Sequence, residues 1–98
     1  MTRAVAFHRL AEHELNEAAQ YYDLESPGLG VAFLKEVDRY LKALLKHPES
    51  GPVIAGEIRR RLVPGFPYGI LYKIMPAEVR VLAVMNLKRR PMYWVGRE

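Results

Sequence analysis

Two clusters in the second half of the chain carry residue types that could do chemistry. One is Arg59-Arg60-Arg61; the other is Asn86-Leu87-Lys88-Arg89-Arg90-Pro91, followed at once by Met92-Tyr93-Trp94. A guanidinium is planar, permanently charged and able to grip a phosphate or carboxylate with two parallel hydrogen bonds. Cations beside aromatic rings can also hold a nucleic-acid backbone and stack a base. Neither cluster contains the paired carboxylates or the histidine that acid–base hydrolysis favours. Any catalysis here would therefore rest on Lys, Arg and Tyr.

Each cluster has a plainer structural reading beside the functional one. Side chains alternate along a strand, so Arg60 shares a face with Ile58 and Leu62 while Arg59 and Arg61 point the opposite way. A bulge or an early strand end would accommodate that. The functional alternative is a second sheet face that is polar and concave. Tyr93 and Trp94, equally, can simply pin the C-terminal segment to the core.

The elements that must position these residues follow from the patterning. Arg3 to His8 carries Val5 and Phe7 at period two, which predicts a short first strand. From Leu10 the period changes: Leu15, Ala18, Ala19 and Tyr22 fall on one helical face. Ser26-Pro27-Gly28 ends that helix in a turn. Phe33, Leu34, Val37, Leu41, Leu44 and Leu45 form the apolar stripe of a second helix, with an Asp38/Lys42 pair beside it, closed by Pro48 and Gly51-Pro52. Strands are predicted over Glu57 to Val63, Tyr68 to Met75 and Val79 to Met85, joined by Pro64-Gly65-Phe66-Pro67 and Pro76-Ala77-Glu78. In the last two both faces are largely apolar, with Val79, Val81 and Ala83 set against Leu82 and Val84, as in central strands. The expected fold is α+β, in the order β-α-α-β-β-β, with an antiparallel helical hairpin on one face of a mainly antiparallel sheet.

The chain's 98 residues fit one domain spanning 1–98 with one shared core. Half the residues are apolar, which argues against a disordered chain. No apolar run approaches the roughly 20 residues of a membrane-spanning helix, and the start lacks a signal peptide's apolar stretch, so a cytoplasmic protein with no membrane partner is expected. Without cysteine there is no disulfide, thiolate zinc site or thiol nucleophile. His8, His13 and His47 are scattered, so no metal and no cofactor are expected. Charge is uneven. Residues 1–50 hold six Lys/Arg and eight Asp/Glu, a balance of −2, and residues 51–98 hold nine and three, a balance of +6, which sum to +4. A basic half suggests an anionic partner, nucleic acid or an acidic protein segment.

Three stretches together resemble the RelE/ParE superfamily of type II toxin–antitoxin toxins. They are Glu17-Ala18-Ala19-Gln20-Tyr21-Tyr22, Pro27-Gly28-Leu29-Gly30 with Phe33-Leu34-Lys35-Glu36-Val37, and Phe66-Pro67-Tyr68-Gly69-Ile70-Leu71-Tyr72; the run from Arg89 through Pro91 to Tyr93-Trp94 resembles the family's C-terminal end. The resemblance implies a small toxin neutralised by a cognate antitoxin in a toxin–antitoxin hetero-oligomer. RelE-like members cut messenger RNA on the ribosome with basic residues and a C-terminal tyrosine. By that resemblance, Arg60, Arg61, Arg89 and Tyr93 would be catalytic. Gly69, however, stands where RelE-like members carry a central-strand arginine, and Asn86 where many carry histidine. ParE-like members instead poison DNA gyrase, and the Tyr-Tyr end of helix one with the Phe-Pro-Tyr strand is closer to them. The ParE-like reading is therefore favoured, with ribosome-dependent mRNA cleavage as its enzymatic rival. On either reading Arg59, Lys73, Arg80, Lys88 and Arg90 are candidate nucleic-acid or target contacts, expected to share one positive surface with the other arginines.

Overall fold

A computed structural model of the chain describes residues 3–97. Strand β1 (Ala4–Phe7) leads into helix α1 (Arg9–Glu25), which begins where His8 Nδ1 accepts a hydrogen bond from the Leu10 N–H at 3.1 Å. That bond satisfies one of the donors every helix start leaves open. Gly28, at φ +87°, turns the chain into α2 (Leu29–Lys46). Asp23 Oδ1 reaches across to accept the Gly30 N–H at 2.7 Å. Gly30 lies so close to α1 that a Cβ there would strike the Ala19 carbonyl oxygen. The buried face of α1 is accordingly built from the small residues Ala11, Ala18 and Ala19, and α2 supplies the bulk with Phe33, Val37, Leu41 and Leu44.

After a single 3₁₀ turn at Pro48–Ser50 come β2 (Val53–Ala55), β3 (Ile58–Val63), β4 (Tyr68–Ile74) and β5 (Glu78–Asn86). The sheet order is β1-β5-β4-β3-β2, with β1 parallel to β5 and every other pair antiparallel. The α+β class, the helical hairpin and the mainly antiparallel sheet are as expected. The short edge strand β2 is additional: its three residues follow Pro52 and end at the Gly56 turn, too few to show a period.

The expected alternation within β5 needs one correction. Leu71 pairs with Ala83 and Tyr72 with Val81, so Leu82 is an extra residue on β5. This bulge shifts the pleat by one. Val84 consequently joins Val79 and Val81 beneath the helices, while Ala83 and Met85 join Leu82 on the opposite face.

Beneath the hairpin, Tyr22, Phe33, Phe66 and Tyr68 form an edge-on aromatic cluster with ring centroids 5.1–6.1 Å apart. Such tilted contacts are the favoured geometry for aromatic quadrupoles. The second sheet face is not the polar concavity considered above. Ile58, Leu71, Leu82, Ala83 and Met85 floor it, and Trp94, only 4% exposed, covers them as a second small core. The C-terminal tryptophan thus does pin its segment to the sheet.

Candidate target-binding surface

The nine basic or aromatic positions singled out from sequence do not form one surface. The structure divides them by strand register and by partner.

Arg59 pairs in register with Tyr72 and Arg61 with Ile70, so both lie on the helix side of the sheet. There Arg59 Nη1 donates to the carbonyls of Glu49 at 3.1 Å and Gly51 at 2.8 Å. The buried Tyr72 hydroxyl holds the same turn, donating to the Pro48 carbonyl at 2.7 Å and accepting from the Gly51 N–H at 3.0 Å. Arg61 stacks over the Tyr40 ring of α2 at 5.1 Å. Both arginines therefore point towards polar or aromatic partners at a margin of the helix layer, with no bulge in β3 required. Lys73 and Arg80 are register partners near the β4–β5 turn, beside Glu57 at 3.9 Å and Glu78 at 2.7 Å respectively.

The remaining cations gather at the opposite end of the sheet. Arg60 points to the second face and lies across Gly69: a Cβ there would stand 3.3 Å from Arg60 Cγ and Cδ, and 3.6 Å from Leu87. Next to Leu87 are Lys88, Arg89 and Arg90, all exposed in the turn that ends β5. Asn86 Oδ1 accepts the Lys88 N–H at 2.9 Å, fixing that turn as asparagine side chains commonly do. Among the described residues no carboxylate pairs with Arg60, Lys88, Arg89 or Arg90. Their charge is available to an outside partner. Counted from Gly69 and Asn86 at that end, Lys73 and Arg80 are four and six residues away along the strands, about 13–20 Å at 3.3 Å per residue, while Lys73 lies only two residues from Leu71, the register partner of Arg60.

Tyr93 occupies a different position from a free catalytic hydroxyl. Its O–H donates to Glu14 Oε2 at 2.7 Å. Glu14 Oε1 and Oε2 also receive Arg97 Nη1 and Nη2 at 2.9 and 3.0 Å, and Oε1 receives the Val84 N–H at 3.1 Å. These bonds close the open edge of β5. Strand β1 stops at Phe7, opposite Val81, so the next backbone groups have no neighbouring strand. Glu14 takes the Val84 N–H, and Arg97 Nη1 donates to the Leu82 carbonyl at 3.1 Å. Burial, followed by the hydrogen bond and charge of Glu14, pushes the Tyr93 hydroxyl well above its ordinary pKa. Burial alone would lower Arg97, but its bonds to Glu14 and that carboxylate's charge more than offset this and raise it.

Sequence reasoning missed both Glu14 and Arg97. Glu14 is not among the residues the helical pattern singles out; its only signal is its position one turn before Ala18, on the buried side. Arg97 gave no sign beyond its charge. Beside the network, Glu14, Glu17, Tyr21, Tyr68, Asn86 and Arg89 line an open cleft of about 300 Å³ between α1 and the end of β5. Among the described residues no cluster of three or more His, Asp or Glu side chains could hold a metal ion, and no helix is long and apolar enough to cross a membrane.

Comparison with known proteins places this arrangement. Residues 5–91 match the family described as ParE toxin of type II toxin-antitoxin system, parDE. A solved structure of the chromosomal ParDE TA system from P. aeruginosa superposes with a TM-score of 0.75 at 15% identity, covering 87% of this chain and 96% of that one. No curated protein matches the chain.

Proposed function

The chain belongs to the ParE toxin family of type II toxin–antitoxin systems, and from that premise we propose that it acts by binding and poisoning DNA gyrase and is neutralised by a cognate antitoxin. The observation that carries the choice of a non-nucleolytic mechanism is the commitment of Tyr93. Its proton is held by Glu14 at 2.7 Å, and its pKa is raised, so the hydroxyl is not free to move a proton on an RNA substrate. Two further departures agree with this. Gly69 has no side chain to offer a cleavage site, and the room it leaves is taken by the stem of Arg60. Asn86 caps a turn.

The free cations Arg60, Lys88, Arg89 and Arg90 supply the target contact. Opposite charge at such a patch steers encounter and fixes orientation more than it adds affinity. The antitoxin is an amphipathic, acidic segment that orders on binding. Tyr21, Leu24, Val31 and Leu34 stand exposed around the tip of the helical hairpin, at 56, 88, 50 and 37% respectively, and offer that segment apolar surface. Growth tests the reading. Inducing the chain in a bacterial host should arrest division, and co-expression of the antitoxin encoded beside it should restore growth. Arrest accompanied by cut ribosome-bound messages would instead support the mRNA interferase reading.

A further inference from the structure

Glu14 is a saturated carboxylate. It lies 12% exposed and accepts from the Val84 N–H, the Tyr93 hydroxyl and both terminal nitrogens of Arg97. The Tyr93 ring is thereby fixed at its tip by the bond to Glu14, and at its base by the buried Trp94 that follows it. Over this ring sits the guanidinium of Arg89, its Cζ 3.9 Å from the centroid. That is well inside the range of a cation–π contact. Arg97, at 5.0 Å from the same ring, occupies Glu14 and so keeps the carboxylate from pairing with Arg89.

We infer that Glu14 and Tyr93 are positioning residues that hold the Arg89 guanidinium flat and outward for a carboxylate on the protein the toxin attacks. The inference rests on the toxin reading of the preceding subsection and names how that surface engages its target. Stacking orients the guanidinium but leaves its N–H donors unspent, because rings offer no in-plane acceptor. An arginine held this way loses less side-chain freedom on binding than one free in solvent. An exposed arginine fixed over an aromatic ring matches the make-up of a protein interface, where arginine and tyrosine are enriched.

Arg89 is exposed, so its variants should fold, and they decide the matter. Arg89→Lys keeps the charge but not the planar stack; it should lose about tenfold in toxicity in a growth titration, approaching Arg89→Ala. Tyr93→Leu should lose a similar amount, Tyr93→Phe should recover at least part of it, and combining Arg89→Ala with Tyr93→Leu should cost no more than either alone. The side-chain NMR signal of Arg89 Hε reads the platform without any target: the ring should displace it in the wild-type chain, and Tyr93→Leu should abolish the displacement. If Arg89→Lys is as toxic as the wild type, or the Hε signal is indifferent to Tyr93, the positioning role is overturned. Salt-sensitive binding of plain duplex DNA that Arg89→Ala abolishes would overturn the protein carboxylate as its partner. A wild-type chain that displaces Arg89 Hε yet arrests no growth would remove the toxin reading instead, and with it the target-presenting role.

Discussion

Glu14 and Arg97 lie 83 positions apart and meet face to face, Oε1 to Nη1 at 2.9 Å and Oε2 to Nη2 at 3.0 Å. One side chain comes from the first helix and the other from the last described turn, and between them they close the edge of β5 that β1 leaves open. Removing either partner strands the other in a site where each side chain is 12% exposed. Glu14→Ala or Arg97→Ala should each cost about 3–5 kcal/mol in chemical denaturation. The double variant should cost clearly less than the sum, as expected for partners in one network. Additive losses would contradict the network.

Tyr93 predicts an alkaline signature. Its folded pKa is raised above the ordinary value of 10.0, so above that pH the unfolded chain gives up this proton while the folded chain keeps it. Stability from this group is complete below pH 10 and is lost as pH rises beyond it. Tyr93→Phe should be less stable than the wild type at neutral pH, with the gap narrowing as pH climbs past 10. Parallel curves would show that Tyr93 does not hold its proton preferentially in the fold.

Gly30 sets the spacing of the helical hairpin. A Cβ there meets the Ala19 carbonyl and the Asp23 side chain, and a backbone oxygen cannot swing aside. Gly30→Ala should therefore destabilise the chain by at least about 1–3 kcal/mol. A neutral result in thermal melting would mean that α1 and α2 sit further apart than described.

Gly69 offers a single-position test of the two toxin mechanisms. Restoring the arginine of RelE-like relatives with Gly69→Arg would push aside Arg60, whose Cγ and Cδ already line that space at 3.3 Å. With Tyr93 still bonded to Glu14, the variant should gain no ribosome-dependent cleavage. Message cutting by Gly69→Arg would show that a single missing cation had been the whole obstacle.

Much of this fold was legible because its signals are local. The helix stripes, the Pro-Gly turns and the alternation of β3 each reside in a few consecutive residues, and α1, α2 and the three longer late strands fall within a residue or so of expectation. What escaped was non-local. The bulge at Leu82 is invisible because Val, Leu and Ala suit either face, and only the register with β4 reveals it. The arginines read alike in sequence, yet Arg59 and Arg61 serve the helix side, Arg80 is paired with Glu78, Arg89 is stacked on Tyr93, and among the described residues neither Arg60 nor Arg89 meets a carboxylate. That division depends on carbonyls and rings brought in from Glu49, Gly51 and Tyr40. Glu14 lay hidden for the same reason, since three of its four donors come from the far end of the chain.

Purified protein tested against DNA gyrase is the most direct measurement. Added to gyrase and relaxed plasmid, the chain should block supercoiling and leave covalently cleaved DNA complexes, Arg89→Ala should weaken both effects, and ribosome-bound messages incubated with the same preparation should stay intact. Normal supercoiling alongside cut messages would contradict the account.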